Sequence, residues 1–545
     1  HDLTDPLTAT TVPDPRASAG QRRRTPLDHP PAAAHTDRAT RAVVVGAGFG
    51  GLAAALRLRA RGLRVTLVDN GARLGGRARV FHESGYTFDA GPTVITAPFL
   101  LEELFGLYGE TLSEHVDLRP IDPWYRVVWE DGASFDYAGG MDRMRDEIAR
   151  FEPRDADGYT RMMRRAEEIY RVGFERLGDQ PFDRASDMAR AVPEMVRLGA
   201  RRSMYRFVAS HLRNERLREV FTFQPLLIGG NPYKASCIYA LIQPLEQRFG
   251  VHYAMGGTGA IVDALVSLLD RVGVDIVAGE SVARVETDGV DRVTGVTLES
   301  GATLGADLVV SNADPVRLYS RLLPERGPHT PTRRRAGRMK LSMGLFVVYF
   351  GARRTYPGLA HHTILLSDRY RPLLEDIFER GVVPEDPSLY LHAPTRTDPA
   401  MAPSGHECFY ALAPVPNLRT HRGEGDAWSD GQAERYRELV LERIERIVAP
   451  GLRDSLDVAF HVTPRYFETD LASEAGAGFG VQPVLTQSAY FRFHNRCPHY
   501  RNLFLVGAGT HPGAGVPGTL CTAKTMERCL EREGAFESIA AGGPA

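Results

Sequence analysis

The sequence predicts an α/β fold whose main sheet is assembled from separated parts of the chain. Residues 41–69 read as a short apolar strand, a glycine turn, an alanine-rich helix and a second strand that ends on an acid. Residues 256–310 add a glycine turn and a helix, then short β runs that end in an apolar strand. Residues 502–518 bring a further apolar strand and glycine turn before a helix. Strands that alternate with helices in this way favour a parallel sheet.

The first strand, turn and helix carry a dinucleotide-binding pattern. Gly46 permits the tight turn, Gly48 lets the backbone approach a pyrophosphate, and Gly51 lets the helix pack close to its strand. The helix N-terminus offers free N–H groups to that pyrophosphate. Asp69 ends the second strand, where a carboxylate accepts hydrogen bonds from an adenosine ribose. The pattern indicates recognition of an ADP moiety and leaves NAD and FAD both open.

A second glycine loop follows directly at residues 71–78, and the segment FDAGPT follows it. Gly75 and Gly76 let backbone come close to a ligand, while Arg73 and Arg77 can meet phosphate or a polarised ring carbonyl. In isolation this would be a surface turn with solvated arginines. Its position after the dinucleotide unit favours a role in ligand binding.

Composition and charge exclude several classes of protein. A chain of 545 residues is too long for one hydrophobic core. Lys and Arg number 66 against 68 Asp and Glu, so no global field favours a nucleic-acid partner. The five cysteines form no CxxC pair, which fits a reducing compartment and predicts no zinc, iron–sulfur or other metal site. No apolar stretch approaches the roughly 18 residues of a membrane span.

Residues 197–218 are strongly basic. Seven arginines stand here against one acid, Glu215, and Met204, Phe207, Val208 and Leu212 recur among them at helical spacing. A basic amphipathic helix of this kind can lie in a membrane interface. The competing interpretation is an arginine face over an ordinary core stripe.

Sequence blocks spread along the chain carry a family resemblance. They include VVVGAGFGGLAAALRL, LGGRA, FDAGPTVIT, LAHHTI, LAPVPNL and NLFLVGAGTHPGAGVPGT. On these blocks the chain resembles the bacterial and fungal type of phytoene desaturase, within the FAD-dependent amine-oxidase-like superfamily. The resemblance implies FAD as the cofactor. It also implies desaturation of phytoene towards lycopene by hydride transfer to flavin and loss of a proton.

The resemblance also implies the residues that hold FAD. The ADP half would lie on the first glycine turn and Asp69, the pyrophosphate and flavin on the second loop, the adenine beside Val282, and the flavin end on the closing glycine turn. Residues 91–93 would line the isoalloxazine where substrate arrives. The expected set is Gly46, Gly48, Gly51, Asp69, Arg73, Gly75, Gly76, Arg77, Gly91, Pro92, Thr93, Val282, Gly509, Thr510, Val516, Pro517 and Gly518.

For the proton step, Arg154 and Asp155 are the first candidates, with Glu152 behind them. A carboxylate beside an arginine could accept a proton while the arginine keeps it ionised. A salt bridge at a helix start is the competing interpretation. His361 and His362 are a second pair, and adjacent residues on a strand point to opposite faces, so at most one is expected to face the site.

The resulting domain prediction has four parts. Residues 1–40 form a flexible tail, and residues 41–110, 250–318 and 485–540 form a Rossmann-like FAD-binding domain. Residues 111–140 and 319–484 form a mixed α+β substrate domain, and residues 141–249 form a helical, membrane-associating region. Phe493 and Gln224 depart from the family pattern in stretches that could face substrate.

Phytoene is the expected substrate, a quinone or oxygen the electron acceptor, and the location cytoplasmic, at a membrane surface, with a homo-oligomer as a further expectation. The competing functions are a diapophytoene, zeta-carotene or hydroxyneurosporene desaturase, a carotenoid isomerase that keeps FAD, and a flavin- and lipid-binding protein without turnover. An amine oxidase is disfavoured because it has no use for the blocks from LAHHTI to LAPVPNL.

Overall fold

A computed structural model describes residues 40–423 and 428–534. The predicted tail lies outside the described residues apart from Thr40. The α-helices are α1 (Phe49–Ala60), α2 (Phe99–Gly106), α3 (Met141–Ala149), α4 (Asp155–Tyr170), α5 (Ala185–Leu198), α6 (Met204–Ala209), α7 (Glu215–Val220), α8 (Ile242–Phe249), α9 (Thr258–Arg271), α10 (Pro315–Arg317), α11 (Thr330–Ala336), α12 (Tyr370–Glu375), α13 (Asp430–Ile447), α14 (Leu452–Ser455), α15 (Pro464–Thr469) and α16 (Val516–Arg532).

The strands are β1 (Arg41–Val45), β2 (Arg64–Asp69), β3 (Val80–Glu83), β4 (Tyr86–Asp89), β5 (Leu118–Pro120), β6 (Tyr125–Val128), β7 (Ser134–Tyr137), β8 (His252–Ala254), β9 (Asp275–Ala278), β10 (Val282–Thr287), β11 (Val293–Leu298), β12 (Thr303–Gly305), β13 (Leu308–Ser311), β14 (Gly344–Ala352), β15 (His362–Leu365), β16 (Leu389–His392), β17 (Glu407–Val415), β18 (Leu456–Val462) and β19 (Leu503–Leu505). Short 3₁₀ and π turns supplement the helices, among them the π turn Arg171–Arg176 that continues α4.

The central sheet has five parallel strands in the order β19-β13-β1-β2-β9. Parallel strands buried on both faces read as continuous apolar runs, and β13 is buried throughout. The helix α1 packs against α16, so the first and last parts of the described chain meet. The α/β class and the assembly of one sheet from separated segments are confirmed.

A second, seven-stranded sheet faces the first across the molecule, with the order β18-β14-β17-β16-β15-β6-β7. Its neighbours are antiparallel except for β15 and β6, which run parallel. All nine residues of β14 are buried, because helices cover one face of the sheet and an aromatic core covers the other. The predicted β meander is the antiparallel sheet β10-β11-β12.

The basic segment 197–218 is not one helix, so the predicted interfacial helix is wrong. The helix α5 ends at Leu198, Gly199 follows it in a left-handed conformation with φ of 78°, and α6 and α7 are short. Met204, Phe207 and Val208 are at most 2% exposed and pack in the core between α4 and the second sheet. Their arginine neighbours cover this apolar stripe. The segment therefore has the arginine face over a core stripe that was the competing interpretation.

None of the helices in the described ranges combines the length and the apolar character that a membrane crossing requires.

Candidate functional site

A large cavity of about 750 Å³ lies between the two sheets. The residues that follow β1, β2, β13 and β19 line one end of it, among them Gly46, Asn70, Asn312 and Ala508. Ligands of open α/β sheets bind at the carboxyl ends of the strands, where connecting loops diverge. The cavity therefore occupies the position at which the sequence pattern places a dinucleotide.

Two helix N-termini meet this end of the cavity. Gly48 precedes α1 and Gly515 precedes α16, and neither residue offers a side chain that caps its helix. The first N–H groups of a helix have no partner within it, and the helix dipole makes that end positive. Gly48, Gly515 and Val516 all line the cavity. Each terminus can therefore donate to an anionic or polarised group of a ligand in the cavity.

Glycine is sterically required at two positions beside the cavity. A Cβ at Gly51 would lie 1.8 Å from the carbonyl oxygen of Gly46, so a side chain there would push α1 off the first turn. A Cβ at Gly91 would lie 2.0 Å from the carbonyl oxygen of Arg77, where the second loop passes the end of β4. The first contact brings α1 close to the first turn, and the second brings the second loop close to the segment after β4.

Asp69 connects the same two loops. One carboxylate oxygen accepts the Ala47 N–H at 2.6 Å, and the other accepts the Gly71 N–H at 2.8 Å. Burial raises the pKa of Asp69, and the two backbone hydrogen bonds oppose that shift. The side chain lines the cavity, so it fixes the loops and presents a carboxylate edge to the bound nucleotide.

Arg77 supplies a positive charge in the wall. Its Nη2 donates to Ser473 Oγ at 2.9 Å, while its buried Nε has no partner in the described chain. Burial lowers the pKa of Arg77, and the carboxyl of Asp314 opposes that shift. A buried N–H without a partner beside two helix N-termini fits an anionic cofactor. The residues present at this end therefore fit the diphosphate and adenosine of FAD.

The other end of the cavity is apolar. Its lining residues come from the segment 223–228, from residues 241–245 at the start of α8, and from strands β14 to β17 of the second sheet and segments beside them. They include Phe223, Leu226, Leu227, Ile228, Leu241, Ile242, Leu245, Met343, Leu345, Val347, Ile364, Leu366, Leu389, Leu412 and Phe479. A wall of this kind excludes water and fits a long hydrocarbon.

A polar cluster lies at the junction of the two ends. Thr93 Oγ1 forms hydrogen bonds with Tyr390 OH at 3.0 Å and with Tyr410 OH at 2.9 Å. Tyr390 OH also lies 2.6 Å from His362 Nδ1, and Tyr410 OH donates to the Gly91 carbonyl at 3.1 Å. Thr93 and both tyrosines line the cavity.

Asp89 is a buried carboxylate that joins the segments carrying this cluster. Its carboxylate accepts the N–H of Thr258 at 2.7 Å, at the start of α9, and the hydroxyl of Tyr253 at 3.3 Å. It also lies 3.2 Å from Nε2 of His392. Burial lowers the pKa of His392, although Asp89 opposes that shift. Asp89 thereby ties the FDAGPT segment to α9 and to the second sheet.

His361 and His362 do not point to opposite faces, so that expectation is wrong. Because β15 begins at His362, His361 lies before the strand and its ring turns toward its neighbour, with centroids 4.5 Å apart. Burial lowers the pKa of both rings well below the usual value. Neither residue lines the cavity, and His362 reaches it through Tyr390.

Most residues expected to hold the cofactor line this one cavity. These are Gly46, Gly48, Asp69, Gly75, Gly76, Arg77, Gly91, Pro92, Thr93, Val282, Gly509, Val516, Pro517 and Gly518. Three others lie outside it. Gly51 packs behind the first turn, the Arg73 side chain is exposed, and Thr510 is buried with its hydroxyl on the Val506 carbonyl.

Arg154 and Asp155, the predicted catalytic pair, do not line the cavity. Arg154 is exposed and forms an ion pair with Glu152, with Nε 3.0 Å from Oε1. Asp155 is 1% exposed, and its carboxylate accepts the backbone N–H groups of Arg213 and Asn214 at 2.8 to 2.9 Å. These contacts give Glu152 and Arg154 the helix-start salt bridge of the competing interpretation, and they give Asp155 a structural role.

Several residues of the site were not identified from the sequence. Asn312 follows β13 and donates to the Gly46 carbonyl at 3.3 Å, and its position after an apolar strand was an available signal. Glu246, Tyr390 and Tyr410 carry no local pattern that marks them. Of the two departures from the family pattern, neither Phe493 nor Gln224 lines the cavity.

Comparisons with known proteins agree with this geometry. Residues 49–526 match the family of flavin containing amine oxidoreductases. The chain is 44% identical over 497 residues to a phytoene desaturase (lycopene-forming) from Paracoccus sp., covering 91% of this chain and 98% of that protein. It is 42% identical to a phytoene desaturase (neurosporene-forming) from Cereibacter sphaeroides, covering 90% and 94%.

Among solved structures, cyclohexylamine oxidase from Brevibacterium oxydans superposes with a TM-score of 0.57 at 16% identity, covering 91% of this chain and 99% of that one. This likeness supports the fold alone. The protein is an FAD-dependent oxidoreductase. The chain therefore belongs to the flavin containing amine oxidoreductases and, within them, to the phytoene desaturase family.

Proposed function

We propose that this protein desaturates phytoene to lycopene. The observation that carries the proposal is the single cavity that joins an anion-binding end to an apolar end. Near full-length identity of 44% to a lycopene-forming relative supports the choice of substrate and product.

In this proposal, each part of the cavity has one task. FAD, when bound, accepts a hydride from an allylic carbon of the polyene. The N-terminus of α1 and the guanidinium of Arg77 hold its diphosphate. The N-terminus of α16 and the backbone of Gly91 to Thr93 border its ring. The apolar wall excludes water and aligns one C–C bond of the substrate, which is the main contribution that a protein makes to such a reaction.

The domain division follows the same assignment. The FAD-binding domain comprises residues 41–110, 250–318 and 485–540, and the substrate domain comprises residues 111–140 and 319–484. Residues 141–249 cover the apolar end of the cavity as a helical region. Each range supplies residues to the cavity wall, and the range 111–140 supplies a single one, Tyr125.

The extent of desaturation separates this proposal from its nearest rivals. A neurosporene-forming relative is nearly as similar as the lycopene-forming one, so a product with fewer new double bonds is the second candidate. An isomerase or a polyene-binding protein would transfer no electrons.

The test is incubation of purified, FAD-loaded protein with phytoene in liposomes, in air and with a quinone in excess to reoxidise the flavin, with products separated by chromatography. We expect lycopene as the end product. Neurosporene or zeta-carotene as the end product would contradict the lycopene assignment, while a changed double-bond geometry with unchanged hydrogen content would indicate an isomerase. Recovery of unchanged phytoene from folded, FAD-loaded protein would contradict the enzyme assignment.

Since phytoene dissolves in lipid, the proposal includes docking on a membrane surface, for which the structure offers exposed apolar side chains on α5 and in an adjoining loop. Val192 and Val196 on α5 are 40% and 65% exposed, and Leu485 and Phe491 in the adjoining loop are 40% and 45% exposed. The loop containing Phe491 packs against α5. Arg190 and Arg197 on the same helix are solvent-exposed and can meet anionic headgroups. We call these residues the α5 patch.

Replacing Val196 and Phe491 by Glu should reduce flotation with anionic liposomes by about tenfold or more, because two anions would enter the interface. Val290 and Val382 are 69% and 48% exposed and lie outside the patch, so replacing them by Glu is the matched control. Flotation that is equal in the two double variants would contradict this docking surface.

Electrons leave to a quinone or to oxygen in this proposal. Anaerobic turnover with a soluble quinone distinguishes the two, because sustained turnover without oxygen requires the quinone. A homo-oligomer on the membrane is the further expectation, and cross-linking on liposomes measures it.

A further inference from the structure

Glu246 is a carboxyl group at the apolar end of the cavity. It lies on α8, is 0% exposed, and lines the cavity together with its neighbours Ile242 and Leu245. Buried carboxyl groups are rare unless a cation or several hydrogen bonds satisfy them. The contacts of Glu246 are therefore the evidence for its role.

Only one half of this carboxyl group has a partner. Tyr125 OH donates to Oε1 at 2.9 Å, whereas Oε2 has no hydrogen-bond partner in the described chain. Asp69 and Asp89, two other buried acids in or near the cavity wall, each accept hydrogen bonds on both oxygens. The difference leaves Oε2 of Glu246 as an acceptor without a hydrogen bond. The Tyr137 hydroxyl, which contributes to the electrostatics of this carboxyl group, also has no hydrogen-bond partner among the described residues.

The titratable groups that face Glu246 are tyrosines from three elements: Tyr125 on β6, Tyr137 on β7 and Tyr159 on α4. None of them carries a positive charge, and no basic side chain of the described residues contributes to its environment. Burial raises the pKa of Glu246 to about 8, and the hydroxyls of Tyr125 and Tyr137 oppose that rise. The carboxyl group thus changes charge near neutral pH, the range in which a general base is most effective.

We propose that Glu246 is the base that takes the proton in each desaturation step. This inference rests on the proposed function. One allylic C–H bond gives its hydrogen and electron pair to FAD. The C–H bond of the neighbouring carbon then breaks, its electron pair forms the new C=C bond, and its proton goes to Glu246 Oε2. The charge balances, because the carboxylate and the polyene cation neutralise each other.

The surroundings of Glu246 suit a general base better than the surroundings of Arg154 and Asp155 do. A carboxylate in an apolar wall attracts the delocalised cation strongly, since little water or counter-charge screens the pair. Asp155 is held by backbone N–H groups and lies outside the cavity wall. Glu246 is a carboxyl that lines the apolar end of the cavity itself.

The test compares Glu246→Gln with the wild-type protein in single-turnover desaturation across pH 6 to 9. The wild-type rate should rise with pH and level off above the pKa of about 8, because only the carboxylate accepts a proton. Glu246→Gln should lower the rate by about 100-fold or more and remove that rise, while its FAD content stays at the wild-type level.

Two further variants separate catalysis from structure. Tyr125→Phe removes the hydrogen bond that lowers the pKa of Glu246, so the midpoint of the rate profile should move to higher pH. Glu219→Gln is the matched control: burial raises the pKa of Glu219 to about 7, but this residue bonds Trp129 and does not line the cavity. Its rate profile should equal that of the wild type.

Infrared spectroscopy of the protein without substrate gives a readout besides activity. In the wild type, one component of the protonated-carboxyl band should disappear as pH rises through about 8, and this component should be missing in Glu246→Gln. The component of Glu219, which should disappear through about pH 7, should remain in that variant. A wild-type rate profile retained in Glu246→Gln would overturn the proposal. Should that variant lose FAD, an unmoved midpoint in Tyr125→Phe overturns it instead. Failure of the proposed function appears separately, as a wild type that binds FAD and forms no product.

Discussion

The two ends of the cavity are built in different ways. The nucleotide end consists of three glycine turns, each contained in a short stretch of sequence, and its donors are mostly backbone N–H groups. The polar cluster at the junction with the apolar end depends on side chains that are distant in sequence. Thr93 is separated from Tyr390 by 297 positions and from Tyr410 by 317.

This difference explains why cofactor binding can be inferred from sequence motifs, whereas the substrate environment cannot. A backbone site requires particular residue types at fixed spacing, because only glycine permits the turn or the close approach. A side-chain cluster requires only that the fold bring suitable groups together, so its members can stand anywhere along the chain. Cofactor chemistry is therefore recorded locally, whereas the environment of the substrate is a property of the packed protein.

The largest expected effect comes from a single methyl group at the nucleotide end. Gly51→Ala places a Cβ against the Gly46 carbonyl, which forces α1 and the first turn apart. We expect FAD retained after purification to fall at least about tenfold. Gly106→Ala is the control, because this helical glycine of α2 has open space around it. Equal FAD content in both variants would contradict the assignment of the first turn.

An intermediate effect is expected at the support of the polar cluster. Asp89→Asn removes the charge that accepts from Thr258, Tyr253 and His392, and leaves an amide N–H facing one of these donors. The free energy of unfolding should fall by about 1–3 kcal/mol, as is usual for a disrupted buried hydrogen-bond group. Chemical denaturation measures it, with the exposed acid variant Asp142→Asn as the control. An unchanged stability would show that Asp89 does not hold the cluster.

The smallest expected effect is at a single hydroxyl. Tyr390→Phe removes the bonds to Thr93 and His362, and should lower the free energy of unfolding by about 1 kcal/mol with no change in FAD content. Tyr205→Phe, which loses a surface bond to Glu215, should change stability by less than about 0.5 kcal/mol. Loss of FAD in Tyr390→Phe would show that the two ends are not separate in function.

The features that could be predicted from the sequence are those with local signals, as at the nucleotide end of the cavity. The glycine turns, the discontinuous central sheet and the β meander have local signals, and the structure contains each of them. The segment 197–218 has the correct periodicity for a helix, but Gly199 interrupts it and its apolar side chains face the protein interior. Periodicity alone does not reveal whether an apolar stripe is covered by protein or by lipid.

The residue proposed for proton transfer shows most clearly what could not be predicted from the sequence. Arg154 and Asp155 stand out in sequence because an acid and a base are adjacent, yet they do not pair with each other: Arg154 bonds Glu152, and Asp155 accepts from the distant backbone N–H groups of Arg213 and Asn214. Glu246 has no such neighbour in sequence. Its isolation among tyrosines and apolar residues arises only when β6, β7, α4 and α8 pack together.

The stoichiometry of anaerobic desaturation tests most directly whether FAD takes the electrons of each new double bond. FAD-loaded protein is mixed with phytoene in liposomes without any electron acceptor, while flavin absorbance and polyene products are followed together. We expect one flavin to be reduced for each new double bond that is formed. New double bonds without flavin reduction, or flavin reduction without new double bonds, would contradict it.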